Sequence, residues 1–221
     1  MDVLGIVGSS RKSGNTDLLV QKVLAGAQSQ GLETRMLFLS DFQISHCCGC
    51  EKCRRLLRCT VDDGMQEIYP LLEQAKGLVL GSPTYFYNVS GLTKSFIDRL
   101  YCYEFFDKRD RSVWLGLNEV AGIKYAVTVA VCEQEKEEDM GFASEAMHLA
   151  LKAVGYRVIE DVKAFHAFLK GDVNQQPEVL ERAFASGKKL AQTLHLHKDV
   201  GGIIERRLAR GRIASLKAGK N

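Results

Sequence analysis

The chain alternates between short apolar runs and longer segments in which apolar residues recur at helical spacing. Five apolar runs have the length of a buried strand, at residues 3–7, 34–39, 77–81, 125–131 and 156–162. Helices are predicted at residues 19–27, 65–75, 92–105, 142–154 and 177–194. Strands that alternate with helices predict an α/β fold with one doubly wound, five-stranded parallel sheet and right-handed crossovers.

A polar loop joins the first predicted strand to the first predicted helix. Its sequence is Gly8-Ser9-Ser10-Arg11-Lys12-Ser13-Gly14-Asn15-Thr16. A helix N-terminus offers free N–H groups and the positive end of a dipole, which suit a phosphate. Neither G-x-G-x-x-G nor G-x-x-x-x-G-K-[ST] occurs in the chain, so a phosphate monoester such as that of FMN is predicted. The candidate ligands are Ser9, Ser10, Arg11, Ser13, Asn15 and Thr16; helix capping is the alternative role of the last two.

A second candidate segment follows the third predicted strand. Residues 82–91 contain three consecutive aromatic residues followed by Asn88. Three adjacent rings cannot all point into the core, so they are predicted to form a wall for a flat ring such as that of a flavin. Core packing beneath a loop is the alternative. The candidate residues are Pro83, Thr84, Tyr85, Phe86, Tyr87 and Asn88.

Five of the seven cysteines lie in the long loop between the second strand and the next helix. Four of them, Cys47, Cys50, Cys53 and Cys59, follow a C-x2-C-x2-C-x5-C spacing that suits the corners of a [4Fe–4S] cluster. Cys48 is out of register and is not predicted as a ligand. Zinc, free thiols and a redox disulfide are the alternatives. Such cysteine usage favours a reducing compartment over a disulfide scaffold.

These segments together resemble a known family. Residues 8–16 and the segment from Ser82-Pro83-Thr84-Tyr85 through Lys94-Ser95-Phe96-Ile97-Asp98-Arg99 are similar to the two signatures of the NADPH-dependent FMN reductase family. The cysteine loop, followed by Asp62-Asp63-Gly64-Met65, resembles that of the iron–sulfur flavoprotein branch. The resemblance implies a flavodoxin-like fold, bound FMN, and a homo-dimer or homo-tetramer in which a flavin lies near a neighbouring subunit's cluster.

Charge divides the chain into a main domain and a tail. The formal net charge is +3, but residues 198–221 carry +5, which leaves −2 for the remainder. We therefore predict a flavodoxin-like FMN-binding domain at residues 1–197, with the cysteine loop 46–63 inserted, and a basic C-terminal tail at residues 198–221. No apolar run of about 18 residues occurs, so no membrane span is expected, and a cytoplasmic location is predicted.

The function predicted from these features is an FMN-containing electron-transfer flavoprotein, in which a [4Fe–4S] cluster relays electrons to or from a ferredoxin-like partner. A cluster-free NAD(P)H-dependent FMN or quinone reductase is the alternative. A thiol- or zinc-based redox-sensing protein is a third hypothesis. Five carboxylates between Glu133 and Asp139 argue against NADPH as a direct donor, because the cofactor is anionic. No aromatic residue interleaves the basic residues of the tail, so nucleic acid is predicted not to be the partner.

Overall fold

The structure is a computed structural model of the chain, and it describes the backbone of residues 1–218 and the side chains of residues 1–208. The strands are β1 (Val3–Val7), β2 (Thr34–Phe38), β3 (Gly77–Tyr85), β4 (Asn88–Val89), β5 (Glu104–Phe106), β6 (Trp114–Gly116), β7 (Lys124–Val131) and β8 (Tyr156–Ala164). The helices are α1 (Asn15–Gln28), α2 (Lys52–Leu56), α3 (Met65–Gln74), α4 (Gly91–Arg99), α5 (Leu117–Ala121), α6 (Glu137–Met140), α7 (Ala143–Ala153) and α8 (Pro177–Ala218).

A five-stranded parallel sheet forms the centre of the molecule, in the order β2-β1-β3-β7-β8. This is the flavodoxin-like order, and it confirms the predicted doubly wound sheet. After β1 the chain adds β2 at one edge of the sheet. It then returns to the other side of β1 with β3 and adds β7 and β8 toward the opposite edge. The switch point therefore lies between the carboxyl ends of β1 and β3, where ligands bind in open α/β sheets.

The two faces of the sheet bury different helices because successive side chains of a strand point to opposite sides. Leu4 and Ile6 of β1 face a core shared with α3, α4 and α7. Val3 and Val7 of the same strand face a second core shared with α1 and α8. The central strands are apolar on both faces, as a sheet covered by helices on both sides requires.

Strand β3 is longer than the sequence predicted. The apolar run ends at Gly81, but the strand continues to Tyr85 because β7 pairs with it as far as Pro83 and β4 pairs antiparallel with Thr84 and Tyr85. The predicted loop after Gly81 is thus a hairpin with a two-residue turn. Backbone pairing, which leaves no apolar signature in the sequence, extended the strand.

The helix predicted at residues 92–105 is also different. Helix α4 ends at Arg99, a 3-10 turn covers Leu100–Tyr103, and the chain then forms β5, which pairs with β6 in a separate two-stranded sheet. The apolar spacing that predicted a longer helix belongs instead to residues that pack under this turn. The start of α4 is well defined, because the Ser90 side chain accepts a hydrogen bond from the Thr93 N–H at 3.2 Å.

Helices α1 and α8 contact each other through two glycines. A Cβ atom placed on Gly187 would lie 1.8 Å from the carbonyl oxygen of Val23, and one on Gly26 would lie 2.0 Å from the carbonyl oxygen of Phe184. Both positions therefore need a residue without a side chain. The close approach fixes the crossing of the two helices that cover one face of the sheet.

Helix α8 continues well beyond the predicted end at residue 194 and reaches Ala218 without a break. Its extension exposes Leu196, Ile203 and Leu208, while Val200 and Ile204 line a groove with Ile123. No break in the backbone marks residue 198, so a separable tail at residues 198–221 stays a prediction. No helix in the described part of the chain has the length and apolar character needed to cross a membrane.

Substitution of Gly187 by Val is expected to lower the free energy of unfolding by about 3 kcal/mol, because the added atoms overlap the α1 backbone. Equilibrium urea unfolding measures this change. Truncation after His197, on the same helix, is the control and should change the free energy of unfolding by less than about 1 kcal/mol. A larger loss from the truncation would show that the extension belongs to the folding domain.

Candidate functional site

A cleft of about 380 Å³ lies at the carboxyl edge of the sheet, over the switch point. The carboxyl ends of β3 and β7 and the loops after β1, β3, β7 and β8 form its walls. The lining residues are Ser9, Arg11, Gly14, Asn15, Thr16, Pro83, Thr84, Tyr85, Phe86, Val131, Glu133, Ala167, Phe168 and Lys170. The two polar segments singled out in the sequence therefore meet in one site.

The loop after β1 brings four of its six candidate residues to the cleft: Ser9, Arg11, Asn15 and Thr16. Ser10 and Ser13 are exposed and do not line it. Ser13 has a φ of 55°, and its N–H donates to the Asp17 carboxylate at 2.6 Å. This bond closes the loop onto the first turn of α1, whose remaining N–H groups point to the cleft end of the helix.

The Asn15 side chain is already engaged within the protein. Its amide group donates to the carbonyl oxygens of Ala167 and Leu169 at 3.0 and 2.8 Å. Its own oxygen accepts from the N–H of Gly171 at 2.9 Å. Asn15 therefore fastens the loop after β8 beside the loop after β1, and only its backbone N–H remains for a ligand.

A buried group of hydroxyls connects the first two loops. Ser90 Oγ donates to the carbonyl oxygen of Gly8 at 2.5 Å and lies 3.0 Å from Thr93 Oγ1. Thr93 Oγ1 in turn donates to Ser82 Oγ at 3.1 Å. A Cβ on Gly8 would lie 1.8 Å from Thr93 Oγ1, so the hydroxyl group contacts the loop directly. The sequence analysis did not propose these three hydroxyl residues as part of the site. Their place within the segment that resembles the family signature was the available signal.

The second candidate loop contains a strained turn. Phe86 and Tyr87 both have positive φ, 46° and 61°, which is the combination found in type I′ turns. Bulky residues rarely adopt this conformation, which costs about 1–3 kcal/mol per residue and is often found at functional sites. Phe86 is 99% exposed at the rim of the cleft. Tyr87 and Asn88 do not line the cleft: the Tyr87 carbonyl accepts from Phe142 N–H, and Asn88 pairs with Tyr85.

Thr84 provides an unpaired polar atom in the cleft. Its Oγ1 is buried, and no hydrogen-bond partner is present among the described residues. A buried hydroxyl normally has a partner, because desolvation without one is costly. Thr84 also lines the cleft, so a bound molecule is able to supply the missing bond.

The acidic loop after β7 contributes one carboxylate, Glu133, to the cleft. A second carboxylate, that of Glu137, is paired with the Lys163 ammonium at 2.5 Å, and the Glu135 carboxylate lies 3.3 Å from Nδ1 of His166. The Glu137 carboxylate has a lowered pKa because Lys163 donates a hydrogen bond to it. The negative charge near the cleft is therefore smaller than the sequence alone indicated.

The loop after β8 was not predicted as part of the site. It contributes Ala167, Phe168 and Lys170, of which Phe168 is 65% exposed at the rim. Lys170 adds a second cation to a lining that also contains Arg11. A short polar segment after a strand is common, so the sequence offered no distinctive signal for this loop.

The cysteine loop lies away from this cleft and beside α4. Cys53 and Cys59 are half-buried against the core, whereas Cys47, Cys48 and Cys50 are exposed. The pKa of Cys53 is raised, first by burial and then by the negative charge of the Cys59 thiolate. Among the side chains of residues 1–208, no three His, Cys, Asp or Glu gather as a metal-binding group.

The fold and the cleft define a class, that of flavodoxin-like α/β proteins with a cleft at the carboxyl edge of the sheet. A family model described as NADPH-dependent FMN reductase matches residues 1–134 of the chain. This match covers more than half of the chain, which belongs to the NADPH-dependent FMN reductase family. The predicted family, a family of flavin-dependent oxidoreductases, is thereby confirmed.

Several similar proteins carry the name iron–sulfur flavoprotein. One from Methanocaldococcus jannaschii is 40% identical over 99 residues, which is 45% of this chain and 51% of that protein. One from Archaeoglobus fulgidus is 29% identical over 194 residues, which is 87% of this chain and 80% of that protein. The first of these alignments spans about half of the relative's length.

Solved structures agree with the fold. An NAD(P)H:quinone oxidoreductase from Methanothermobacter marburgensis superimposes with a TM-score of 0.65 at 16% identity, covering 86% of this chain and 98% of that one. An archaeal flavodoxin superimposes with a TM-score of 0.53 at 13% identity, covering 88% of this chain and 99% of that one. At these identities the similarity establishes the flavodoxin-like fold.

Substitution of Thr93 by Val is expected to weaken ligand binding in the cleft without unfolding the protein. The methyl group keeps the volume but removes the bonds to Ser82 and Ser90 that hold Gly8 in place, at a cost of about 1–3 kcal/mol. Titration with FMN, followed by flavin fluorescence, measures the effect, for which we expect roughly a tenfold higher Kd. An unchanged Kd would show that the hydroxyl group does not position the loop.

Proposed function

We propose that the chain binds FMN in the cleft and functions as an electron-transfer flavoprotein. The observation that carries this proposal is the buried, unpartnered Thr84 hydroxyl within a cleft formed by the two family-like loops. Family membership supports FMN as the cofactor. Bound FMN would supply transfer of one or two electrons.

The loop after β1 would hold the phosphate. Ser9 and Thr16 are almost fully buried, and the first-turn N–H groups of α1 lie behind them. Arg11 is exposed at the same end of the cleft and would pair with the phosphate charge. Ser10 and Ser13, which face solvent in this structure, are the weaker members of the proposed set.

The loop after β3 would hold the ring. Thr84 offers a hydrogen bond, and Tyr85 and Phe86 offer apolar surface at the cleft rim. Phe168 lies in the wall contributed by the loop after β8. These side chains would exclude water from the ring and fix its orientation. Tyr87 and Asn88 would act through the turn that presents Phe86.

We further propose that Cys47, Cys50, Cys53 and Cys59 hold a [4Fe–4S] cluster. The chemistry of the donor set fits, because four thiols at short spacing share one loop and the name iron–sulfur flavoprotein recurs among the relatives. Because three of them do not gather in the present arrangement, the exposed segment with Cys47 and Cys50 would close onto the half-buried Cys53 and Cys59. The donor N–H of Lys52 already lowers the pKa of Cys50.

One-electron chemistry implies a one-electron partner, and we propose a ferredoxin-like carrier. Within one chain, the cysteine loop lies away from the cleft that would hold the flavin. A homo-dimer or homo-tetramer would bring the cluster of one subunit near the flavin of another. The proposed domain at residues 1–197 contains both sites. The basic tail at residues 198–221 would serve association with a neighbouring subunit or an acidic partner.

A cluster-free NAD(P)H-dependent reductase of flavins or quinones is the second candidate. The absence of a gathered ligand group among the described side chains favours it. Arg11 and Lys170 provide positive charge at the cleft for an anionic nicotinamide cofactor, and Glu133 opposes it. The two candidates differ in iron content and in the electron donor.

Replacement of both Arg11 and Thr16 by Ala should weaken FMN binding about 30-fold, because about 2 kcal/mol of phosphate hydrogen bonding is lost. Riboflavin, which lacks the phosphate, should lose much less. Lys12→Ala is the matched control, since the Lys12 ammonium pairs with Asp41 at 2.6 Å and does not line the cleft. Isothermal titration with both flavins measures the Kd values. Equal losses for the two flavins would contradict the proposed role of the loop.

Anaerobically prepared protein should contain about four iron atoms per chain, as a cubane cluster requires. Cys53→Ala should abolish the iron but leave FMN bound, because the phosphate loop is a separate part of the chain. Cys48→Ala is the matched control and should retain both. Iron analysis and the visible spectrum report the result. Iron-free protein that reduces quinones with NADPH at full rate would replace this proposal by the second candidate.

A further inference from the structure

The Asn15 side chain uses its full hydrogen-bonding capacity inside the protein. A carboxamide has two N–H donors and an oxygen with two lone pairs. In Asn15 the two donors go to the carbonyl oxygens of Ala167 and Leu169, at 3.0 and 2.8 Å. The oxygen accepts from the N–H groups of Gly171 and Val173, at 2.9 and 3.3 Å. One side chain at the start of α1 thus binds four backbone groups of a loop that lies 152 to 158 residues away in the sequence.

The segment that Asn15 holds, residues 168–171, is called the wall segment here, and it has little apolar surface buried. Ala167 before it and Val173 after it belong to the core shared with α1 and α8. Within the segment, Phe168 and Leu169 are 65% and 63% exposed and belong to neither core of the sheet. Packing therefore fixes the two flanks of the wall segment but not the segment itself.

The hydrogen bonds of the wall segment lead to the same result. Among the described residues, every hydrogen bond from this segment to a distant part of the chain goes to Asn15. Its other hydrogen bonds join residues that are three positions apart. A short segment with few buried contacts and few bonds opens at a low free-energy cost. The position of the wall segment therefore depends on Asn15.

Asn15 connects the two ends of the cleft. The wall segment supplies Phe168 and Lys170 to the lining. Asn15 is also the first residue of α1, next to Thr16 and the N–H groups proposed for the phosphate. Its backbone belongs to the phosphate end, while its side chain fixes the wall that carries Phe168. A wall that is ordered before the ligand arrives removes a cost of binding, because no loop has to be immobilised at that moment.

We propose that Asn15 is a positioning residue for the ring end of the cleft, where it holds the wall segment so that Phe168 packs against the bound ring. The inference rests on the proposed binding of FMN. It goes beyond that proposal because the Asn15 side chain acts on the ring and not on the phosphate. Riboflavin, which has the same ring without the phosphate, therefore depends on Asn15 as much as FMN does.

Asn15→Ala tests this role, because it removes the four bonds but keeps the backbone N–H at the start of α1. We expect about a tenfold higher Kd for FMN and the same factor for riboflavin, since the wall segment then has to be ordered at each binding event. Isothermal titration of the flavin-free, full-length protein measures both values. A direct bond from Asn15 to the phosphate predicts a loss for FMN alone, and that pattern would overturn the inference.

Phe168→Ala shows whether Asn15 acts through the wall segment. Alone, this substitution should raise the riboflavin Kd about tenfold, because a contact between aromatic rings is lost. Added to Asn15→Ala, it should cause no further loss, because Phe168 is then already displaced from the ring. Independent effects would multiply to about a hundredfold in the double variant. A loss of that size would contradict the proposed route through Phe168.

Leu169→Ala is the matched control within the same segment. Leu169 is exposed and does not line the cleft, and its carbonyl oxygen, which accepts from Asn15, is unchanged by the substitution. The Kd values for both flavins should stay within about twofold of wild type. Losses as large as those of Asn15→Ala would show that the segment responds to any substitution, against a specific role of Asn15.

A measurement without flavin tests the anchor itself. In Asn15→Ala the Gly171 N–H loses its acceptor, so its hydrogen exchange, followed by NMR, should become at least about tenfold faster. The Ala167 N–H donates to the Cys132 carbonyl oxygen at 3.1 Å and should keep its rate as an internal reference. An unchanged rate at Gly171 would overturn the anchoring role, whatever the flavin affinity.

The possible results separate this inference from the proposed function. Wild-type protein that binds neither flavin would overturn both. Wild-type protein that binds FMN, together with an unchanged riboflavin Kd in Asn15→Ala, would overturn the inference alone. If Asn15→Ala does not fold, Asn15→Ser takes its place, because serine suits a helix start but is too short to reach the wall segment. The same equal losses for the two flavins are expected there.

Discussion

The cleft depends on one close contact, the approach of the Gly8 backbone to the hydroxyls of Ser90 and Thr93. This contact couples the loop after β1 to the segment that follows β3, so that the two loops have a fixed separation. A side chain at position 8 would break it, because no space exists for a Cβ. Because a parallel sheet brings the carboxyl ends of its strands together, this local constraint decides the shape of the whole site.

The energetics of the cleft point to a ligand. The turn at Phe86 and Tyr87 holds two bulky residues at positive φ, and Thr84 keeps a buried hydroxyl with no partner among the described side chains. Both features cost free energy in the protein alone. Stabilisation elsewhere, above all the double-sided packing of the sheet, offsets this cost. A ring bound against the turn would recover part of it by contact with Phe86 and a bond to Thr84.

The cysteine loop is organised by a different interaction, the buried pair of Arg99 and Asp63. Two charges removed from water are tolerated because the geometry is bidentate and backbone groups of Ser45 and Met65 add three further hydrogen bonds to the pair. The loop between them has little apolar surface of its own to bury. Its cysteines therefore depend on this pair for their position, and the helix that supplies Arg99 also begins at the Ser90 hydroxyl group of the cleft.

The hydrophobic pattern by itself determined the five parallel strands and their helices, because burial on two sheet faces imposes a strict periodicity. Local chemistry in the sequence also singled out the loop after β1, which lines the cleft, and the cysteine spacing. Only the tertiary structure decided that β3 runs on to Tyr85, that α8 continues past residue 194, and that the Asn15 side chain binds the loop after β8. It also decided the pairing of Arg99 with Asp63. These depend on contacts between residues far apart in the chain, which no local pattern of side chains encodes.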